Sequence, residues 1–268
     1  MSAPSRPAPR GILFDLDGVL YNSGALIPGA PEAVAWVEAQ GIPYLYLTNT
    51  TSRSRAVLVE KLAGFGFPAS VDRLLSPAAA AADWLRARDA RDIALFLRPS
   101  TQTEFAGLHR LPEDAERGAR WVVVGDLGQH WDFRTLNRAF RLLHYNPEAV
   151  LIALGKTRYW MADDGVSLDV APFVAALEHA SGRAAMVVGK PAAPFFQAAA
   201  AKLGLPAAEV LMIGDDVEAD VRGAMAAGLS GALVRTGKFR EADLAGTVRP
   251  DWVIGSVAEL PYRWPAWS

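Results

Sequence analysis

GILFDLDGVLYNSG (Gly11–Gly24) changes character in its middle. Ile12, Leu13 and Phe14 form an apolar run of the kind that lies in a strand buried on both faces. The run then breaks into Asp15-Leu16-Asp17-Gly18. Side chains two apart in an extended chain share a side, so Asp15 and Asp17 can face one way with Leu16 opposed. Two carboxylates at a buried strand end repel each other and are costly to desolvate, which calls for something cationic between them. Taken alone, these residues also admit a plainer reading, an acidic loop that merely follows a strand. The other strand ends decide.

Working outward, strand and helix patterns alternate. PGAPEAVAWVEAQG (Pro28–Gly41) reads as a helix with a glycine stop. IPYLYLTN (Ile42–Asn49) reads as a second buried strand and SRSRAVLVEKLAGFGF (Ser52–Phe67) as a second helix. Further along, AAMVVGK (Ala184–Lys190), VLMIGDD (Val210–Asp216) and GALVRTG (Gly231–Gly237) read as strands, separated by helical PAAPFFQAAAAKLG and VEADVRGAMAAG. This alternation predicts an α/β fold, a doubly wound parallel, Rossmann-like sheet with right-handed crossovers. The middle of the chain carries its own strands, DIALFLR, WVVVGD and VLIALGK, and its own helices, FRTLNRAFRLLHYN and VAPFVAALEHASG. The expected organisation is a discontinuous core domain of residues 1–76 and 184–268, with a second α/β domain of residues 77–183 inserted into it.

The composition narrows the function classes. The chain has 268 residues, 51% hydrophobic and 21% charged, enough for a sizeable core. The net charge of -2, with 27 Lys and Arg dispersed among 29 acids, gives no support for a nucleic-acid or anionic-membrane partner. Cysteine is absent, which excludes disulfides, thiolate metal sites and a cysteine nucleophile. The opening MSAPSRPAPR lacks the apolar stretch of a signal peptide, and no apolar run approaches the roughly 18–20 residues that cross a bilayer. A soluble, cytoplasmic protein is expected. His109, His130, His144 and His179 show no metal-ligand spacing.

In an open α/β sheet, ligands bind beyond the carboxyl ends of the strands. There the sequence places Asp15 and Asp17, Thr48 and Asn49, Lys190, and Asp215 and Asp216. Carboxylates without Cys and with few His are hard oxygen ligands suited to Mg²⁺ and not to zinc. Lys190 supplies positive charge for a phosphoryl group, and Thr48 and Asn49 can donate hydrogen bonds to its oxygens. One Asp can act as nucleophile and a second can move the proton: Asp15 attacks and Asp17 transfers the proton.

DLDGVLY, LTNTT, VVGKP and GDDVEAD occur in the order of the four motifs of the haloacid dehalogenase superfamily. The chain from Gly11 onward resembles that superfamily, and the long insertion resembles the α/β cap domain of its NagD-like phosphatases. LIALGKTRYW, GVSLDVAPFVAALEHA and VRTGKFR are most similar to the phosphatases of that group that act on phospholysine, phosphohistidine and pyrophosphate, and to the related haloacid dehalogenase-like hydrolase domain-containing proteins. The resemblance implies an Mg²⁺-dependent phosphatase that passes through an aspartyl-phosphate and cleaves small phosphate monoesters, pyrophosphate or P–N bonds. It implies Asp15 as nucleophile and metal ligand, and Asp17 as general acid/base that also binds the metal through its backbone carbonyl. Thr48 and Asn49 would bind phosphate, Lys190 would stabilise the transferring group, and Asp215 would bind Mg²⁺. Asp216 and Asp220 would be supporting acids, Asp220 outside the metal's immediate ligands. Members that cleave carbon–halogen bonds lack the second Asp, because a halide leaves without a proton. Relatives often pair through their caps, so a homodimer through the cap is a further expectation.

Plainer readings stand beside these. Thr48 and Asn49 suit the start of a helix, Lys190 suits a solvated surface, and acids such as those of GDD favour a helix N-terminus. In the inserted domain, Lys156, Arg158, Tyr159 and Trp160 read either as substrate contacts or as an ordinary hairpin turning at DDG. PYRWPAWS reads as packing on the core domain or on a partner subunit. Two further functions share the motifs: phosphotransfer to an acceptor, as in mutases, and a non-catalytic phosphoacceptor module. A receiver-type module is far shorter and has no lid, and the second Asp argues against it.

Overall fold

The computed structural model describes residues 7–22, 24–162 and 165–267. Two compact units emerge, one of Met1–Thr48, Ala56–Leu75 and Lys190–Ser268, the other of Asn49–Arg55 and Ser76–Gly189.

The first unit is built on a six-stranded sheet. Its strands are β1 (Gly11–Phe14), β2 (Tyr44–Leu47), β3 (Leu74–Leu75), β4 (Val210–Gly214), β5 (Ser230–Val234) and β6 (Trp252–Ile254). They run β6-β5-β4-β1-β2-β3, every neighbouring pair parallel. Each residue of β1, β2, β4 and β5 is buried, which is why these strands read as unbroken apolar runs and not as alternating ones. The order reverses beside β1: the chain moves outward to β2 and β3, then returns to β4 on the other flank. Phe14 lies level with Ile213 on one side and Tyr46 on the other. The carboxyl ends of β1 and β4 therefore finish together at the switch point, where open α/β sheets bind ligands.

One face of this sheet packs on helices Ala30–Ala39 and Leu260–Trp267, with Val34, Val37, Trp264 and Trp267 in a cluster that also holds Phe14, Leu16 and Tyr46. The Trp-rich C-terminal segment thus packs on its own unit. The Trp267 ring stacks on Trp252 with centroids 4.8 Å apart. Trp267→Ala should lower stability by about 2 kcal/mol, below a fully enclosed Trp because the residue ends the last helix. Chemical denaturation checks this.

The second unit carries a four-stranded parallel sheet in the order Met186–Val187, Val150–Ala153, Trp121–Val124, Ile93–Phe96. Helix Phe133–His144 is capped by Asp132, whose carboxylate accepts from the Thr135 amide at 2.7 Å. Tyr159–Ala162 and Gly165–Leu168 form an antiparallel hairpin. Asp163 and Asp164, which the sequence reads as part of its turn, and the side chain of Trp160 lie outside the described residues.

Two sequence readings need correction. Of Ala184–Lys190, only Met186–Val187 is strand, and it joins the second unit's sheet beside Ile152 and Ala153. An apolar β stretch pairs with whichever edge reaches it, and periodicity names no partner. Val217–Gly228 is not one regular helix either: Val217–Arg222 forms a wider π-type turn before the α-turn Gly223–Ala226, a distortion that is frequent at functional sites. Among the described residues, no helix is long and apolar enough to cross a membrane.

Candidate active site

Asp15 is the first residue beyond β1, and its amide continues the ladder by donating to the Ile213 carbonyl at 3.0 Å. Asp215 stands directly beyond β4, next to the position level with Asp15. Asp220 reaches in from the π-type turn that follows. All three are buried, at 8%, 2% and 1% exposure, and oxygens from the three carboxylates lie within 4.8 Å of one another. Lys190, only 5% exposed, enters as the chain returns from the second unit. Its Nζ lies 2.5 Å from Asp15 Oδ1, 2.6 Å from Asp220 Oδ1 and 3.5 Å from the Leu47 carbonyl.

A single ammonium does not balance three buried carboxylates, and the electrostatics show the strain. Burial first, then the charges of Asp15 and Asp220, push the Asp215 carboxyl up to about 7. Burial also raises Asp220, against the pull of Lys190, to about 6. Burial disfavours the Lys190 ammonium, but Asp15 and Asp220 outweigh it and hold this lysine above its usual range. Asp215 Oδ2 accepts from the Lys238 amide at 2.7 Å, while Asp215 Oδ1 is buried with no hydrogen-bond partner. An orphaned buried carboxylate oxygen beside two further carboxylates is a donor set of hard oxygens, and it fits Mg²⁺.

Asp17 is not part of this cluster. β1 ends at Phe14, Leu16 turns into the hydrophobic core, and the Asp17 side chain is exposed. The chain leaves the strand conformation before the alternation of sides can bring Asp17 level with Asp15. The repulsion expected between those two is found instead among Asp15, Asp215 and Asp220. Asp220, placed by the sequence among supporting acids, is thereby a direct partner of Lys190.

Thr48 is the first residue beyond β2, buried, with its amide donating to the Leu75 carbonyl at 3.2 Å. Asn49 follows it and opens the short segment that belongs to the second unit. There Arg55 donates through its amide and its Nε to the Glu104 carboxylate, both at 2.8 Å, and the Thr101 hydroxyl donates to the Thr51 carbonyl at 2.9 Å. Asp216 caps the π-type turn, accepting from the amides of Glu218 and Ala219 at 3.1 and 2.9 Å. Burial pushes its carboxyl up, but the Ala219 amide and Lys238 outweigh this and hold it below the usual range. In the second unit, Lys156 is paired with Glu178 at 2.8 Å, the Arg158 guanidinium lies 5.9 Å from the Tyr159 ring centroid, and Tyr159 is half exposed.

Sequence reasoning missed the residues that surround Asp215. Gly18 and Gly237 have φ of +87° and +64°, and a Cβ at either position would stand 2.1 Å from Asp215 Oδ2. Only glycine allows both the left-handed backbone and that approach. The available signal was the TGK that ends VRTGK (Val234–Lys238), a glycine turn directly after a buried strand.

Comparisons agree with this geometry. A family model described as haloacid dehalogenase-like hydrolase matches residues 12–109, and one described as HAD-hydrolase-like matches residues 187–260. The phospholysine phosphohistidine inorganic pyrophosphate phosphatase of Homo sapiens is 38% identical over 255 residues, covering 93% of this chain and 92% of that protein. A p-nitrophenyl phosphatase from Archaeoglobus fulgidus superposes with a TM-score of 0.86 at 28% identity, over 95% of this chain and 98% of the other. NagD from E. coli K-12 shares the fold, with a TM-score of 0.85 at 24% identity over 94% and 98% of the two chains. The chain belongs to the haloacid dehalogenase-like hydrolases and is a phosphohydrolase.

Proposed function

We propose that this phosphohydrolase is an Mg²⁺-dependent phosphatase of small phosphorylated compounds that works through an aspartyl-phosphate on Asp15. The observation that carries this reading is the buried trio Asp15, Asp215 and Asp220 on one lysine, with Asp215 Oδ1 unpartnered, at the sheet's switch point.

An Asp15 carboxylate oxygen attacks the phosphorus in line with the leaving group, and the bond to the leaving oxygen or nitrogen breaks. Asp17 gives that atom its proton; its exposed side chain suits an acid that must also meet water. Asp17 then takes a proton from a water molecule, whose oxygen attacks the phosphorus and releases inorganic phosphate with the Asp15 carboxylate restored. Lys190 donates to Asp15 and offsets the charge that develops on the phosphoryl oxygens. Thr48 and Asn49 donate to the remaining phosphoryl oxygens. Asp15, Asp215 and the Asp17 carbonyl would hold Mg²⁺, which when bound neutralises phosphoryl charge as a Lewis acid. Asp216 and Asp220 support this set, one by ordering the π-type turn and the other by fixing Lys190. Substrate selection falls to the inserted unit, with Lys156, Arg158 and Tyr159 as its contacts. The name of the human relative favours P–N bonds and pyrophosphate beside monoesters.

The test is phosphate release from pyrophosphate, pyridoxal phosphate, sugar phosphates, nucleotides and a phosphoramidate, with Mg²⁺ and with chelator. Release from a few compounds, abolished by chelator, is expected; release indifferent to chelator overturns the metal-dependent reading. A pH prediction accompanies it. The Asp215 carboxyl is raised to about 7, above the roughly 3.9 of an unfolded Asp, so its ionisation costs the metal-free protein stability as pH rises toward and through 7. Mg²⁺ needs the ionised form, and its apparent affinity should fall about fivefold between pH 7 and pH 6 as one proton competes. The thermal shift given by Mg²⁺ should accordingly be larger at pH 8 than at pH 6. Equal shifts at both would remove Asp215 from the metal site.

A further inference from the structure

We propose that Thr236 is a positioning residue for the Asp215 carboxylate, bolting the loops after β1 and β5 into a clamp that aims Asp215 Oδ1 into the carboxylate cluster. This rests on the reading of Asp215 as an Mg²⁺ ligand.

The clamp has two jaws and a bolt. Gly18 forms one jaw and Gly237 the other, each so close to Asp215 Oδ2 that a Cβ would collide with it. The jaws also meet: a Cβ on Gly237 would stand 2.5 Å from the Gly18 Cα. The bolt is the Thr236 hydroxyl, which donates to the Gly18 carbonyl across 218 residues of sequence. With the jaws closed, the Lys238 amide donates to Asp215 Oδ2 at 2.7 Å. An aspartate's terminal torsion is broad and two-fold, so a carboxylate without such walls exchanges its oxygens freely. Here one oxygen is enclosed and hydrogen-bonded, and the other is left buried without a partner.

The ion pairs that hold the β5 loop are exposed, beside backbone bonds from Arg235 to Ile254 and from Phe239 to Thr236 and the packing of Phe239. Arg235 pairs with Glu241 at 3.0 Å with both side chains about half exposed or more, and Lys238 Nζ reaches Asp216 at 3.4 Å from a mostly exposed side chain. Exposed pairs of this kind contribute little. Among the described residues, the Thr236 hydroxyl is a removable side-chain atom that joins the two jaws without itself hydrogen-bonding the carboxylate. Partners that orient a metal ligand from behind typically matter ten- to hundredfold in metal affinity.

The experiment is Mg²⁺ titration by calorimetry at pH 8 on the full chain, comparing wild type with Thr236→Val, Thr236→Ser and Asp215→Asn. Hydrogen exchange of the Lys238 amide is measured without metal on the same proteins. Thr236→Val, nearly equal in shape but without the hydroxyl, should bind Mg²⁺ about tenfold more weakly and exchange the Lys238 amide faster. Thr236→Ser should stay within about twofold of wild type, because it keeps the donor. Activity should follow: the Mg²⁺ concentration for half-maximal rate rises in Thr236→Val while the rate at saturating Mg²⁺ is largely kept. Thr236→Val with wild-type Mg²⁺ affinity and a protected Lys238 amide overturns the clamp. So does Thr236→Ser as impaired as Thr236→Val, since the hydroxyl is then irrelevant. If Asp215→Asn also binds Mg²⁺ normally, the metal reading itself has failed; if only Asp215→Asn is weakened, the metal reading stands and the clamp alone falls.

Discussion

Asp15→Asn should lower phosphate release by about 10⁴-fold or more, the scale seen when a nucleophile is removed from a catalytic set that works as a unit, and should leave the fold standing. The loss follows from chemistry at one atom. The amide oxygen of Asn carries no full charge and its lone pairs are drawn into the C–N bond, so it is a poor nucleophile toward phosphorus. The intact fold follows from the surroundings. Asn is nearly isosteric with Asp, the backbone amide of residue 15 still donates to Ile213, and Lys190 keeps Asp220 as a buried partner at 2.6 Å. Removing one of three crowded charges also relieves Asp215, which is raised by burial and then by Asp15; the metal-free variant should melt no lower than wild type at pH 8. The checks are single-turnover phosphate release, covalent labelling by a ³²P-phosphorylated substrate, and thermal melting. Turnover within about tenfold of wild type, or label still carried by the variant, would sink the assignment of Asp15.

How much of this was legible beforehand differs from residue to residue. Asp15 and Asp215 could be found because each stands directly after an apolar run, and the geometry of a parallel sheet gathers such positions at one edge; Lys190 was found by the same reading although the strand before it joins the other sheet. Asp17 was misplaced because alternation of sides holds only while the chain remains a strand, and β1 stops at Phe14. Asp220 was placed among supporting acids by the family resemblance; the π-type turn brings it to Lys190. Met186–Val187 has the composition of any buried strand, and nothing local says which of two sheets it joins. The clamp around Asp215 depends on two glycines and a threonine from opposite ends of the chain, and contacts of that range leave no periodic trace. Local pattern identified the chemistry; long-range pairing set how the charged groups face one another.

Lys190→Met tests that arrangement most severely. A surface lysine replaced by methionine changes stability by less than about 0.5 kcal/mol. Here the methionine fits the apolar stem, but Asp15 and Asp220 lose their ammonium while remaining buried, and breaking a buried pair from one side costs about 3–5 kcal/mol. The pH dependence has a definite sign. With Lys190 present, Asp215 is raised to about 7 and Asp220 to about 6, and Lys190 is what pulls Asp220 downward. Without it Asp220 moves further up. A carboxyl whose folded-state value exceeds its unfolded one of roughly 3.9 loses stability as pH rises past the unfolded value and regains it on acidification. The deficit of Lys190→Met should therefore be full at pH 8 and shrink markedly at pH 5, where these carboxyls bind protons in the folded state. Denaturation at the two pH values measures it directly. A deficit that is equal at pH 5 and pH 8, or absent at pH 8, would mean that Lys190 does not hold the carboxylates together and that the charge balance of the site lies elsewhere. Phosphate release should fall in the same variant even at pH values where the fold is secure, because the cation facing the transferring group is gone.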